Sequence, residues 1–123
     1  MSQAGHVQIF VYKLPKKNHD AMVEIVGRFT KLYKKYGTQS WEIFQLNSRE
    51  AFDGTESIAK TLGAADNEEV WVEVDHYKDR KHRDSVVGGI MQDPQMGEVF
   101  GALAGTLSPG FTMIMGELNP VKT

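Results

Sequence analysis

The chain has 123 residues, 41% of them hydrophobic and 24% charged, with a net charge of −2 and no cysteine. That length fits a single domain, residues 1–123, able to bury roughly two-thirds of its unfolded surface. Disulfides, cysteine zinc sites and a thiol nucleophile are excluded, and the charge balance lacks the basic face that non-specific nucleic-acid binding requires.

The start, MSQAGHVQIF, has no basic segment followed by a long apolar run, so no secretory signal is expected. No apolar run approaches the ~20 residues of a membrane span. A soluble, cytoplasmic protein without a membrane partner is the expectation.

In chain order, HVQIFVYKL (His6–Leu14) reads as a strand, β-branched and aromatic, ending at Pro15. A helix follows from an Asn18 cap. Its stripe is Met22, Ile25, Val26, Phe29, Leu32, Tyr33 and Tyr36, and Gly37 is its natural stop. TQSWEIFQLN is a second strand. The connection Asn47–Asn67 holds a short helix between a Thr55 cap and Gly63, is expected to be more mobile than the sheet, and could lie over a pocket mouth. EEVWVEVDHY is a third strand. A second long helix starts near Asp79 with Val86, Val87, Ile90 and Met91 on its buried side, and breaks at Pro94. QMGEVFGALAG is a further short helix, and Gly110–Leu118 a closing strand.

The order β-α-β-β-α-α-β predicts an α+β ferredoxin-like sandwich with a four-stranded antiparallel sheet. Alternation splits each strand into two sets. The expectation is that the helices cover the Val7, Ile9, Val11 face. That leaves Phe10, Tyr12, Leu14, Phe44, Leu46, Trp71, Tyr77, Phe111, Met113 and Met115 on the other. Such a patch is too apolar to stay in water. It predicts a homodimer, paired sheet to sheet as a dimeric α+β barrel.

The stretch HYKDRKHRD (His76–Asp84), followed by MQDPQM (Met91–Met96), resembles the Y-K-S-R-x-H-R-D … M-x-D-P-x-M pattern of the YbaA-like proteins. These are small uncharacterised members of the dimeric α+β barrel superfamily. The resemblance runs from about Val7 to Leu118 and implies a fold and a dimer, not an activity. The chain departs from the pattern at Glu73, where the family often has Trp. It also departs in LSPGFTM (Leu107–Met113), which replaces a P-F-D-G-K-R-M segment. Distant members of the superfamily include cofactor-free monooxygenases, lactone isomerases and haem-dependent peroxidases.

Candidate chemistry gathers around the third strand. His82 lies one turn before Val86 and extends the buried stripe of its helix, where an imidazole can serve as catalytic acid or base. The plainer reading is a tether of helix to sheet. Asp79 is an N-cap. Trp71, Glu73, Asp75 and Tyr77 share one face and are candidate ligand contacts together with Arg83, a cation that could receive a carboxylate or phenolate. Glu73 and Asp75, about 7 Å apart by strand rise, would raise each other's proton affinity if buried together. The plainer alternative puts them at a wet margin, paired with Lys13 or Arg80. No metal-binding spacing and no phosphate loop is present (VVGGIM and GALAG sit in helical context), so neither metal nor other cofactor is expected.

Three functions remain at this point. One is a homodimer binding a small, partly aromatic molecule. Another is a cofactor-free monooxygenase or isomerase with one His or carboxylate base. The third is an assembly protein without a ligand.

Overall fold

The structure is a computed structural model that describes residues 5–123; residues 1–4, part of the start read above for a leader, lie outside the described residues. The elements are β1 (His6–Pro15), α1 (His19–Tyr36), β2 (Ser40–Gln45), a short α2 (Ile58–Thr61), β3 (Glu68–Tyr77), α3 (Arg80–Gln92), α4 (Met96–Thr106) and β4 (Ile114–Leu118). The strands pair antiparallel in the order β2-β3-β1-β4. This is the expected α+β, ferredoxin-like sheet. No helix among the described residues is long and apolar enough to cross a membrane.

The elements form where local chemistry dictates. α1 buries Met22, Ile25, Leu32 and Tyr33 and ends at Gly37, whose φ of 90° makes the left-handed cap. Asp79 caps α3 by accepting from the His82 N–H at 2.7 Å. Two expectations shift. Ser57, not Thr55, caps α2. β4 begins later than Gly110, because Gly110 at φ 75° and a Phe111 N–H to Ser108 carbonyl bond form a turn there.

The assignment of the two sheet faces is corrected. α1, α3 and α4 cover the face that carries Tyr12, Leu14, Trp71 and Tyr77, all buried, with Phe10, Phe111 and Met113 packed against them. The open face is the one with Val7, Ile9, Val11, Val72 and Val74. Phe44 belongs to it too, because Phe44 pairs with Val72 while Ile43 pairs with Glu73. Alternation sorts residues into two sets, but when both are apolar it does not say which set meets the helices. The larger, aromatic set goes under the helices, where it fills more volume. That set is covered by the chain's own helices and so needs no second copy to cover it. A smaller apolar set takes its place on the open face.

The DP turn after α3 locks the helices together. Asp93 Oδ2 accepts from the Tyr36 hydroxyl at 2.6 Å and from Lys35 Nζ at 2.8 Å, while Oδ1 accepts from the Gln95 N–H at 2.8 Å. These partners hold the Asp93 carboxyl down at about 2. The pinned Tyr36 ring lies over Gly89, where an added Cβ would fall 2.5 Å from a ring carbon. Gly89→Ala should destabilise the fold by about 1–3 kcal/mol through overpacking. Gly88→Ala, with nothing within 4 Å, should be neutral or stabilise by up to about 1 kcal/mol. Thermal melts check both; equal melting would show that Tyr36 is not held.

Candidate functional site

Between the sheet and the three longer helices lies a cavity of about 250 Å³. Its walls are Phe10, Ile25, Phe29, Met96, Leu103 and Met113, and Met91, Phe100 and Met115, each about half exposed, stand at its mouth. The remaining lining is polar and gathered on one side, with Gln8, Tyr12, Tyr33, Glu73, Asp75, Tyr77 and Arg83 contributing.

The strand pattern places that polar set. Glu73, Asp75 and Tyr77 alternate along β3 toward the helices, and Gln8 on β1 is the register partner of Asp75. Glu73 is 6% exposed and Asp75 1%. The two carboxyls hydrogen-bond each other. Tyr33 descends from α1 and donates its hydroxyl to Glu73 Oε2 at 2.5 Å. Asp75 Oδ1 has no hydrogen-bond donor among the described residues.

Burial, then the charge and hydrogen bond of Glu73, push the Asp75 carboxyl up to about 9; a Gln8 hydrogen bond opposes this. Glu73 is also raised by burial, against hydrogen bonds from Asp75 and Tyr33 that favour its charged form. Two carboxyls in contact inside an apolar space cannot both ionise at neutral pH, so the pair retains one proton between them. The Tyr12, Tyr33 and Tyr77 hydroxyls are pushed up as well, first by burial and then by the neighbouring acids, and remain donors.

Of the residues expected from the sequence, Glu73, Asp75, Tyr77 and Arg83 meet around this cavity. Glu73 and Asp75 do not sit at a wet margin. Lys13 pairs instead with Glu68, and Arg80 with Asp84 and Glu117. Trp71 lies apart, packed beside Tyr12 and His19 and donating to Glu69 at 3.0 Å.

His82 is also outside the cavity wall. Its Nδ1 accepts from the Lys78 N–H at 3.1 Å and its Nε2 donates to the Gly37 carbonyl at 3.0 Å. A neutral imidazole has one acceptor and one donor, and backbone groups use both. The geometry makes His82 a brace between α3 and the end of α1, edge-on to Tyr77, in place of the expected acid or base.

Residues 47–67 do not line the cavity. Arg49 fastens that connection to the Ala64, Ala65 and Glu68 carbonyls, away from the expected place over the mouth. Tyr33 and Gln8 went unforeseen as site residues. Gln8 carried a signal, as a polar side chain between His6 and Phe10 on a strand face that is otherwise apolar up to Leu14. Among the described residues no three His, Asp or Glu side chains converge as a metal site.

The fold and the cavity define a ferredoxin-like α+β protein with a buried acid pair. Residues 5–103 match the family described as Protein of unknown function (DUF1428), and the chain belongs to that family. No curated protein matches the chain. Similar solved structures include a dimeric ferredoxin-like protein of unknown function from Jannaschia sp., with 12% identity, TM-score 0.61, and 94% of this chain and 100% of that one covered. A monooxygenase of Streptomyces coelicolor, solved with nanaomycin D, is 13% identical with TM-score 0.61, covering 98% and 90%. SnoaB, a cofactor-independent oxygenase from Streptomyces nogalater, is 13% identical with TM-score 0.51, covering 98% and 97%. At these identities the likeness is one of fold.

The acid pair sets a pH dependence. Asp75 moves from 3.8 up to about 9 on folding. Between those values the folded state holds a proton that the unfolded state has released, so stability falls as pH rises across that window. Asp75→Asn removes the titrating group. The variant's melting temperature should decline less than that of the wild type between about pH 5 and about pH 9. Parallel curves for the two proteins would contradict the assignment.

Proposed function

We propose that this protein binds a small, partly aromatic molecule in the cavity and exchanges a proton with it. The observation that carries this reading is the buried Glu73–Asp75 pair, holding one proton inside an otherwise apolar cavity. A volume of about 250 Å³ is below the ~300–1,000 Å³ of drug-sized pockets and suits a ligand of one or two rings. Asp75 Oδ1, which has no donor among the described residues, offers an acceptor to a ligand hydroxyl, and the proton held between the two carboxyls is the one exchanged. Glu73 offers a carboxylate to an acidic O–H or C–H, and Tyr33 steadies that carboxylate.

The same pair supports a second reading, a cofactor-free monooxygenase or isomerase. Such chemistry needs one base in a shaped apolar site, and the base would be a carboxylate of the pair rather than His82. The fold shared with the two Streptomyces oxygenases is compatible with it but is no argument for a reaction. An assembly protein without a ligand would leave a costly buried acid pair without a use.

A homodimer belongs to the same proposal. The open face carries Val7, Ile9, Val11, Val72 and Val74, with Phe44, Ile114 and Leu118 each about half exposed. A second copy seated there would bury this apolar patch, which the His76–Glu42 pair borders, as the dimeric state of the Jannaschia protein also suggests. A cytoplasmic location, the absence of a nucleic-acid partner and the closer kinship to YbaA-like proteins complete the reading. The net charge of −2 supports the second of these.

Naphthol, titrated into labelled protein, should shift resonances of residues around Tyr33, Glu73 and Asp75. Glu73→Gln should weaken that binding by about tenfold, the equivalent of one lost hydrogen bond to a charged group. Absence of binding would remove the ligand reading. Oxygen uptake or isomerisation lost in Asp75→Asn would select the enzyme over the binder. Light scattering should give a dimer, and Val74→Glu a folded monomer; a monomeric wild type at micromolar concentration would end the dimer proposal.

A further inference from the structure

Arg83 is the one cation in the cavity wall among the described residues, and by charge alone it would be the receptor for an acidic ligand. Its contacts argue otherwise. Nε donates to Gln8 Oε1 at 2.8 Å and lies 3.5 Å from Glu117 Oε1, and Nη1 reaches Asp84 Oδ1 at 3.1 Å. The guanidinium is thus already compensated by two carboxylates and committed to an amide. Gln8 is 4% exposed and sits on β1 opposite Asp75. With its oxygen taken by Arg83, the amide has only its NH₂ to present to Asp75, its register partner across the β1–β3 pairing, and it favours the charged form of that carboxyl. Arg83, Gln8, Asp75, Glu73 and Tyr33 stand in sequence as a row of polar side chains from α3 across β1 and β3 to α1, with Gln8 and Asp75 opposite each other in the register.

We infer that Arg83 is a positioning residue and not a ligand receptor: it fixes the Gln8 amide, Gln8 fixes the Asp75 carboxyl, and the cavity is thereby reserved for uncharged ligands. The acid pair already places one negative charge in the cavity, and no uncommitted cation offsets an incoming carboxylate. The inference deepens the proposed ligand site, but its first test needs no ligand.

The groups facing Asp75 are Glu73 and Tyr77 on its own strand, Gln8 and Tyr12 on β1, Tyr33 on α1, and Arg83 only through Gln8. Carboxyl-carbon NMR with labelled aspartate reads the Asp75 midpoint directly in the full chain. Gln8→Leu should raise it by about one pH unit, the scale of one lost hydrogen bond to a charged group. Arg83→Met should raise it in the same direction by releasing the amide. The double variant should go no further than Gln8→Leu alone, because the two residues act in series. Arg83→Lys, which can still donate to Gln8 Oε1, should restore most of the wild-type midpoint. Amide spectra establish that each variant is folded, and Gln8→Met, close in length, replaces Gln8→Leu if that variant is not.

Additive shifts in the double variant would mean that Arg83 acts by its charge alone and would overturn the inference. So would an unchanged midpoint in Arg83→Met or in the Gln8 variants. In the second arm, naphthoate should leave the cavity resonances of the wild type unmoved. Naphthoate binding that disappears in Arg83→Met would also overturn it. Failure of naphthol to bind would instead count against the ligand site and leave the titration result standing.

Discussion

Two carboxyl groups share one proton beneath a helix, and much of the surrounding structure bears on that contact. Glu73 and Asp75 are side by side on the covered face of β3, in a position that proteins ordinarily give to apolar residues. Burying them is tolerable only if the charge is reduced to one and the remaining polar atoms find partners. Retention of one proton by the pair does the first. Tyr33 donates to Glu73 from above and the Gln8 amide stands opposite Asp75, whose Oδ1 is left without a donor among the described residues. An acid pair of this kind lowers stability at and above neutral pH, which is the cost expected of a functional group rather than a structural one.

The periphery holds that geometry in place. The β3–α3 junction delivers Tyr77 and then, within two residues, the Asp79 cap, so α3 starts at a fixed height against the sheet. His82 fastens the first turn of α3 to the carbonyl of Gly37 at the end of α1, and Asp93 fastens the far end of α3 to Tyr36 and Lys35. α1, which carries Tyr33, is therefore tied to α3 at both ends of the latter. The two segments whose spacing first suggested a family, HYKDRKHRD and MQDPQM, turn out to contain these two ties. Their residues serve the frame of the site more than its chemistry.

Much of this was legible in the chain. The strands and helices follow from alternation, helical spacing, Asp79, Gly37 and Pro94, and they are found close to where those signals lie. The side-by-side placement of Glu73 and Asp75 on one strand face was legible too. Which face the helices cover was not, because Val7, Ile9 and Val11 alternate with Phe10, Tyr12 and Leu14, and neither set is polar. The choice between them rests on volume, a property of three elements packed together. Partners were the other illegible level. Tyr33 looks like any other member of the α1 stripe until the helix is docked, and His82 looks like a base until the Gly37 carbonyl is brought to it.

The central claim is the protonation state of the buried pair. Infrared difference spectroscopy between the wild type and Asp75→Asn at neutral pH reads it directly, through the carbonyl stretch of a protonated carboxylic acid. The account predicts one such band in the wild type, lost in Asp75→Asn and retained on raising the pH until about 9, where Asp75 gives up its proton. A wild-type spectrum with no protonated carboxyl at neutral pH would contradict it, since Glu73 and Asp75 would then both be ionised and the cavity would hold two charges instead of one.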